Sequence, residues 1–171
     1  MGQKVNPIGF RLGTTRTWSS RWFASKRDYP KNLMEDVRIR NFVNKKFDSA
    51  GISRVEIERA AKNLTVNIYS SRPGIIIGKK GAGAETLKDE LKKMCRITSG
   101  DPVLNVFEVK KPDLEAKLLG DSIKQQLERR VSFRRAMKKA ISQSIKAGAK
   151  GVKIQCSGRL GGADMSRQER Y

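Results

Sequence analysis

The sequence predicts an α+β fold divided into two domains. Residues 64–69 alternate apolar and polar side chains, which is the period of a half-buried strand, whereas Leu87 and Leu91 recur at helical spacing. A Gly-x-x-Gly loop at residues 78–81 joins the two patterns. The composition changes at residues 110–112, where a proline follows two lysines. A length of 171 residues is enough for two small domains with modest cores.

The first domain, residues 29–111, is predicted to have the element order α-β-β-α-α-β. Apolar residues three and four positions apart indicate the first helix, and Gly51 is its stop signal. Pro73 suits the first position of a short helix. The predicted elements are a helix over residues 28–50, strands over 52–60 and 64–69, a short helix from Pro73, a longer helix after residue 81 and a strand over 102–109.

The second domain, residues 112–171, is predicted to be α/β and incomplete. Its predicted elements are a helix from Pro112 to Arg130, a helix from the N-cap Ser132 up to Gly148, a strand over 151–157, a tight turn over 159–162 and a helix that Asp164 caps. Two helices and one strand cannot form a closed sheet. Either a continuation of the chain or a partner is therefore expected to complete this domain.

The loop Gly78-Lys79-Lys80-Gly81 is suited to holding a nucleic-acid backbone. Glycine at both ends permits φ > 0 and lets the main chain approach a sugar-phosphate without an obstructing Cβ. Peptide N–H groups can then face phosphate at a helix start, and the two lysines and Arg72 supply positive charge. Strand, short helix, loop and long helix in this order are the core of a KH domain. The predicted element order is that of its type II form.

Two phosphate-binding motifs and an ordinary helix-helix turn are the alternatives for this loop. A P-loop needs Gly-x4-Gly-Lys followed by Ser or Thr, whereas the stretch from Gly74 is one residue shorter and continues with Lys80. A dinucleotide fingerprint opening at Gly81 and Gly83 lacks its third glycine, because Thr86 occupies that position. The two lysines favour nucleic-acid binding over the ordinary turn.

The charge balance predicts a polyanionic partner. The chain has 37 Lys and Arg residues against 17 Asp and Glu residues, a net charge of +20, which is far more than solubility requires. Residues 129–163 carry ten basic side chains and no acid, an arrangement that repels itself without a counter-charge. RNA is favoured over an anionic membrane, because no apolar stretch approaches the ~20 residues of a spanning helix.

Enzymatic activity is not expected. The chain has no histidine, which removes the usual member of metal clusters and of nucleophile–base pairs. Cys95 and Cys156 are far apart in the sequence, so they predict two reduced thiols and neither a zinc site nor a disulfide. Two carboxylate pairs are interpreted as solvated charge, namely Glu56 with Glu58 and Asp89 with Glu90. We therefore predict no catalytic residue, metal, cofactor or small-molecule substrate.

Residues 1–28 form a basic and aromatic tail, in which Arg11, Arg16 and Trp18 are predicted RNA contacts. Aromatic rings interleaved with arginines can stack on bases or insert into folded RNA. For the pair at residues 22–23 we favour packing on the following domain. The tail lacks a closed hydrophobic pattern and is expected to be mobile in the free protein. It has no apolar run of a signal peptide, so the protein is expected to stay in the cytoplasm.

The second predicted helix of the C-terminal domain has a basic face. Arg134 lies one turn from Lys138, and Arg135 lies one turn from Lys139. The opposite, apolar face is expected to consist of Phe133, Met137, Ile141 and Ile145. The four basic side chains are thereby predicted to be held on a rigid support and to face solvent or RNA.

Four motifs spread over the chain carry a family resemblance. They are MGQKVNP at residues 1–7, RPGIIIGKKG at 72–81, FRRAMK at 133–138 and SGRLGGA at 157–163. Together they resemble the bacterial family of small-subunit ribosomal protein number three. The resemblance implies a type II KH domain, a C-terminal α/β domain that continues beyond residue 171, and a structural function in the small ribosomal subunit.

The same resemblance implies partners and site residues. The implied partners are 16S rRNA in the head of the subunit, mRNA at the channel through which it enters, ribosomal proteins numbered ten and fourteen in the head, and those numbered four and five at the channel. In that family, residues matching Arg134, Arg135 and Lys138 are linked to unwinding of mRNA structure. Further expected RNA contacts are Arg129, Arg130 and Arg159.

Two other functions are compatible with a KH-type sequence. A free KH RNA chaperone or RNA-decay cofactor binds transcripts in the cytosol and has little need for an aromatic, basic tail. A nuclease or lyase acting on nucleic acid usually needs a histidine or an acidic metal cluster, and the sequence offers neither. The four motifs favour the ribosomal function over both.

Overall fold

The computed structural model describes residues 2–60, 63–95 and 101–171, and the chain separates into two compact units. The first unit ends at Glu108 and the second begins at Val109. Both units combine helices with strands, which confirms the predicted α+β class. Residue 1, the first of the predicted tail, lies outside the described residues.

The first unit contains the predicted order α-β-β-α-α-β, preceded by a short helix and a short strand. Its elements are α1 (Pro7–Arg11), β1 (Ser20–Arg21), α2 (Tyr29–Lys46), β2 (Ile52–Ala60), β3 (Asn63–Ser70), α3 (Pro73–Ile77), α4 (Ala82–Met94) and β4 (Val103–Glu108). Short 3₁₀ turns follow α2 at Asp48–Ala50 and precede α4 at Lys79–Gly81. The first predicted helix therefore ends in a 3₁₀ turn, and Gly51, at φ 65°, follows it as the stop signal indicated.

The four strands of this unit form one sheet in the order β1-β2-β3-β4. β2 and β3 are antiparallel, whereas β1 pairs with β2 and β4 pairs with β3 in parallel. Alternate residues such as Val55, Ile57, Val66 and Ile68 are buried against the helices. The helices contribute Ile39, Val43, Ile76, Leu87 and Leu91 to the same core. All three helices from α2 to α4 thus cover one face of the sheet, and the other face carries polar and aromatic side chains.

The predicted tail joins this sheet at its outer edge. Ser20 and Arg21 pair with Ile57 and Glu58 of β2, and the Ile57 N–H donates to the Ser19 carbonyl oxygen at 2.9 Å. Residues 20 and 21 of the tail, which is expected to be mobile in the free protein, form part of the regular structure. A strand of two residues is too short to show alternation, so hydrophobic periodicity could not predict it.

The second unit consists of a helix pair and a hairpin. Its elements are α5 (Ala116–Glu128), α6 (Phe133–Lys146), β5 (Gln155–Gly158) and β6 (Arg167–Arg170). The helices pack through Ile123, Ala136, Met137 and Ala140, all buried. β5 and β6 are antiparallel, and a 3₁₀ turn at Leu160–Gly162 confirms the tight turn predicted between residues 159 and 162.

Three predictions for this unit are wrong. The strand begins at Gln155 and not at residue 151, and the segment after Asp164 forms β6 and not a helix. The glycine-rich turn reverses the chain and brings residues 167–170 beside β5, so pairing overrides the capping signal. Ile145 is 56% exposed and lies outside the apolar face, because the buried stripe of α6 continues to Ser144.

Candidate nucleic-acid interface

The Gly-x-x-Gly loop lies between α3 and α4 with both lysines exposed, at the predicted position. Gly78 and Gly81 have φ angles of 72° and 86°, which residues other than glycine rarely adopt. Lys80 also takes a left-handed conformation, at φ 52°. These angles turn the chain sharply, so that Lys79 and Lys80 project from a short 3₁₀ turn at the start of α4.

Gly83 is a second structural requirement of this loop, and the sequence analysis missed its role. A Cβ at Gly83 would lie 2.7 Å from the carbonyl oxygen of Ile76, and a Cβ at Gly78 would lie 3.0 Å from the Gly83 nitrogen. Only glycine lets α3 and the first turn of α4 approach so closely. The signal available in the sequence was a glycine inside a predicted helix, where glycine lowers stability by ~1 kcal/mol relative to alanine.

Arg72 lies at the opposite end of α3 from the loop. It is exposed, it occupies the N-cap position of α3, and its backbone N–H donates to Ser70 Oγ at 3.0 Å. Its Nη1 lies 3.5 Å from the Ser49 carbonyl oxygen. Since α3 has five residues, Arg72 and the lysines are separated by the ~7.5 Å length of that helix. The structure thus places positive charge at both ends of α3.

The aromatic residues of the tail divide into packed and exposed rings. Trp22 is half-buried, and its ring centroid lies 5.2 Å from that of Tyr29, as predicted for packing on the domain. Phe23 is 99% exposed, so the packing prediction is wrong for that residue. Trp18, at 63% exposure, is accessible together with Arg16. Arg11 is exposed as well and donates from Nη1 to a backbone carbonyl of its own helix at 2.9 Å.

A buried carboxylate holds the end of the tail against α2. Asp36 is fully buried, and its Oδ2 accepts from Ser20 Oγ and from Trp22 Nε1, each at 2.7 Å. Its Oδ1 accepts from the Arg59 Nε at 3.1 Å and from the Arg59 Nη2 at 2.8 Å. Arg40 adds a hydrogen bond from Nη2 to the Ser20 hydroxyl at 2.5 Å. This Asp36 cluster fixes where the tail leaves the domain, and hence where its exposed residues begin.

The four basic residues of α6 are all exposed and form two neighbouring stripes on the helix. Arg134 and Lys138 form the stripe next to β6, and Arg135 and Lys139 form a second stripe about 100° further round the helix. The Arg134 Nη2 lies 3.2 Å from Glu169 Oε1, and the Lys138 Nζ lies 5.7 Å from the ring centroid of Tyr171. Within the described part of the chain, neither Arg135 nor Lys139 has an acidic partner. Their charges are therefore the less compensated pair.

Two of the further predicted contacts, Arg130 and Arg159, line a common cavity of about 680 Å³ in the second unit. Arg130 has a φ of 59° at the end of α5, beside the exposed Arg129. Arg159 donates from Nε to the Ala163 carbonyl oxygen at 2.8 Å and pairs weakly with Asp164 at 3.6 Å. The structure thus places both residues at one cavity, although they are far apart in sequence.

The carboxylates interpreted as solvated charge are more engaged than predicted. The Glu56 side chain is only 13% exposed, and it accepts from Arg54 Nε at 3.0 Å and from Tyr69 OH at 3.2 Å. Burial is the largest single influence and lowers the Arg54 pKa, but hydrogen bonds and charge interactions with Glu56 and Tyr69 together raise it by more, so that the pKa lies above its ordinary value. Glu56 is therefore bound to neighbouring side chains on the outer face of the sheet and is not simply solvated. The alternation of apolar and polar residues along the strand does not predict these contacts.

The described residues offer no group of three or more His, Cys, Asp or Glu side chains that could hold a metal ion. Cys95 and Cys156 are both free thiols, and burial raises the pKa of Cys95. Among the helices described, none has the length and apolarity needed to cross a membrane.

Comparisons with known proteins agree with this arrangement. A family model for the KH domain matches residues 38–114, and one for the C-terminal domain of ribosomal protein S3 matches residues 123–171. The small ribosomal subunit protein uS3 of Geobacter sulfurreducens is 58% identical over all 171 residues, which cover 79% of that relative. The chain belongs to the uS3 family. The uS3 proteins of Trichlorobacter lovleyi and Pelobacter propionicus are 57% and 56% identical over the whole chain, which covers 80% of each.

Membership of the uS3 family confirms the resemblance inferred from the four motifs. The KH match spans α3, the Gly-x-x-Gly loop and α4, so the predicted KH fold is confirmed as well. The second match spans α6 and the β5–β6 hairpin, which identifies the second unit as the S3-type α/β domain. The uS3 proteins are structural ribosomal proteins and not enzymes.

Proposed function

We propose that the chain is a structural constituent of the bacterial small ribosomal subunit, acting in the cytoplasm, that binds 16S rRNA in the head and lines the channel through which mRNA enters. The observation that carries this proposal is the exposed Gly78–Gly81 loop, with two lysines on a turn that only glycine permits, in a chain that matches uS3 over its whole length. A net charge of +20 supplies the attraction for RNA.

In this proposal the KH loop holds RNA by its backbone. Lys79 and Lys80 are exposed, and Gly81, where an added Cβ would meet nothing within 4 Å, leaves the main chain open to close approach. Arg72 extends the positive charge to the other end of α3. KH loops of this kind clamp about four backbone nucleotides. The role assigned to the loop is therefore positioning of rRNA, without sequence selection by the lysines themselves.

In the second unit we assign the grip on mRNA chiefly to Arg135 and Lys139. Both are exposed on the side of α6 away from its buried stripe, and neither is neutralised by an acid among the residues described. Arg134 and Lys138 are held beside β6, where Glu169 compensates Arg134. Basic side chains on a rigid helix could hold single-stranded backbone as a hairpin arrives and so hinder re-pairing. The energy for movement would come from translocation.

The remaining exposed basic and aromatic residues are proposed as further rRNA contacts. They are Arg11, Arg16, Trp18, Arg129, Arg130 and Arg159, all exposed. The proposed protein neighbours are those that the family resemblance implies, numbered ten and fourteen in the head and four and five at the channel. A free KH chaperone or decay cofactor is disfavoured, because the whole chain matches uS3 proteins and its second unit matches the S3 C-terminal domain.

Sedimentation tests the ribosomal assignment directly. A tagged copy of the chain, expressed in a bacterium, is expected to migrate with small subunits on a sucrose gradient and to stay with them after a high-salt wash. Salt weakens simple phosphate contacts steeply, so survival indicates specific incorporation. Migration with free transcripts, or loss from the subunits in salt, would support the free RNA chaperone instead.

A pair of double substitutions tests the channel role. Changing Arg135 and Lys139 to Ala removes no buried contact, so subunit assembly should be unaffected while elongation through structured messages slows. Changing Arg134 and Lys138 to Ala should slow it less, because Glu169 already compensates Arg134. Equal slowing on structured and unstructured messages would indicate a general defect and would contradict the unwinding role.

A further inference from the structure

The sheet of the first unit has an outer face that the KH loop does not use. On this face, the strand register aligns Arg54, Tyr69 and Phe107 in one row across β2, β3 and β4. The Arg54 Cζ lies 3.9 Å from the Tyr69 ring centroid. The rings of Tyr69 and Phe107 are stacked, with centroids 5.1 Å apart and an interplanar angle of 24°. A guanidinium and two aromatic rings thus form one continuous stack, the Arg54–Tyr69–Phe107 stack.

The open end of this stack is Phe107. Phe107 belongs to β4, the last strand in the sheet order, and it is 43% exposed. One face of its ring is covered by Tyr69. The other ring face is directed away from Tyr69, toward the outer edge of β4, which pairs with no further strand among the described residues. A flat aromatic surface is therefore available to solvent, and its orientation is fixed by the two groups stacked behind it.

The surroundings of Phe107 are polar. Asn105, two residues earlier on the same face of β4, donates from Nδ2 to Asn67 Oδ1 at 2.9 Å, and Asn67 donates to Glu58 at 3.1 Å. Glu56 is neutralised by Arg54 at 3.0 Å. One exposed ring among amide groups is too small and too polar for the apolar centre of a stable protein interface, which buries about 800 Å² on each partner. It matches the area and polarity of a single nucleobase.

We propose that Phe107 is a stacking site for one unpaired RNA base, separate from the Gly78–Gly81 loop. Every base has a π-face, and stacking on an aromatic side chain needs no particular sequence. Tyr69 and Arg54 hold the Phe107 ring in place. Asn105, about 7 Å along the strand, can hydrogen-bond to the edge of the stacked base. The proposal rests on the proposed function in one respect, that the chain binds RNA.

The test uses the full chain and a short oligouridylate. Phe107→Leu keeps an apolar side chain but removes the flat ring, and it is expected to weaken binding by ~5- to 150-fold, the range that stacking of one base provides. Stacking releases no counterions, so the dependence of binding on salt should stay unchanged. Val103→Ala is the matched control, since Val103 is 47% exposed on the same face of β4. It should bind as the parent chain does.

Photocrosslinking gives a second readout that needs no variant. Oligouridylate carrying iodouridine is expected to crosslink to Phe107 in the unmodified chain. Crosslinks confined to the Gly78–Gly81 loop, or unchanged affinity in Phe107→Leu, would overturn the stacking site while leaving the proposed function intact. A Phe107→Leu chain that binds RNA normally but loses a neighbouring protein from the small subunit would assign the ring to a protein contact and also overturn it. Failure of the unmodified chain to bind any single-stranded RNA would instead contradict the proposed function.

Discussion

Replacement of Asp36 by Ala should detach the end of the tail and destabilise the first unit. The substitution removes a fully buried carboxylate that accepts from Ser20, Trp22 and Arg59. Breaking a buried ion pair by deleting one partner costs ~3–5 kcal/mol. Arg59 is 16% exposed and keeps Glu35 at 3.0 Å as a second acid. We therefore expect a loss at the lower end of that range, ~3 kcal/mol in the free energy of unfolding.

Urea unfolding followed by circular dichroism measures the global loss, and the fluorescence of Trp22 measures the local one. Trp18 is changed to Phe throughout, so that Trp22 is the remaining tryptophan. In Asp36→Ala its emission should shift to the red, because the indole loses its acceptor and its packing. Asp89→Ala, at an exposed acid on α4, is the matched control and should change stability by less than ~0.5 kcal/mol.

If the free energy of unfolding of Asp36→Ala is within ~1 kcal/mol of that of the parent chain and the Trp22 emission is unchanged, the Asp36 cluster does not hold the tail. Asp36→Asn separates charge from shape, since the amide retains an acceptor for Trp22 but cannot pair with Arg59 as an ion. We expect Asn to recover part of the stability lost in Ala.

Three further substitutions or measurements address the KH loop and its support. Changing Lys79 and Lys80 to Asp should reduce by ~1–2 the slope of the logarithm of the RNA-binding constant against the logarithm of salt concentration. The midpoint of urea unfolding should not change. An unchanged slope would mean that the loop contacts no phosphate. Gly83→Ala should destabilise by ~1–3 kcal/mol, because its Cβ would overlap backbone, whereas Gly74→Ala, with nothing within 4 Å of its Cβ, should be neutral. Cys95 should be alkylated more slowly in the folded protein at mildly alkaline pH than in urea, because burial raises the pKa of its thiol. The contribution of the protonated Cys95 thiol to stability should be present below the ordinary thiol pKa and lost as the pH rises through the raised pKa. Equal alkylation rates in the folded protein and in urea would contradict this.

Most of the first unit could be predicted, because its strands and helices each have one apolar face. Leu64, Val66 and Ile68 are buried as their alternation indicates, and Leu87 and Leu91 are buried at helical spacing. The loop between them was found from its glycines. Periodicity carries this information only for elements long enough to repeat.

The parts that could not be predicted depend on polar or distant contacts. β1 is held by Asp36 and by backbone pairing to β2, and neither produces a hydrophobic pattern. β6 contains four polar residues, so only its pairing with β5 defines it. The charge compensation of Arg134 depends on Glu169, a residue of β6 that lies outside the helix. Sequence alone does not place such partners.

The pairing of β1 with β2 has a consequence for the chain while it is being synthesised. An unpaired strand edge is a template for association with other chains, and β2 would present one along residues 57 and 58. The segment that covers this edge precedes β2 in the sequence, so it has already emerged whenever the edge does. Arg21, at 2.6 Å from Glu58, adds a charge-matched contact to the cover. A nascent chain can therefore cover residues 57 and 58 of this edge as soon as they emerge.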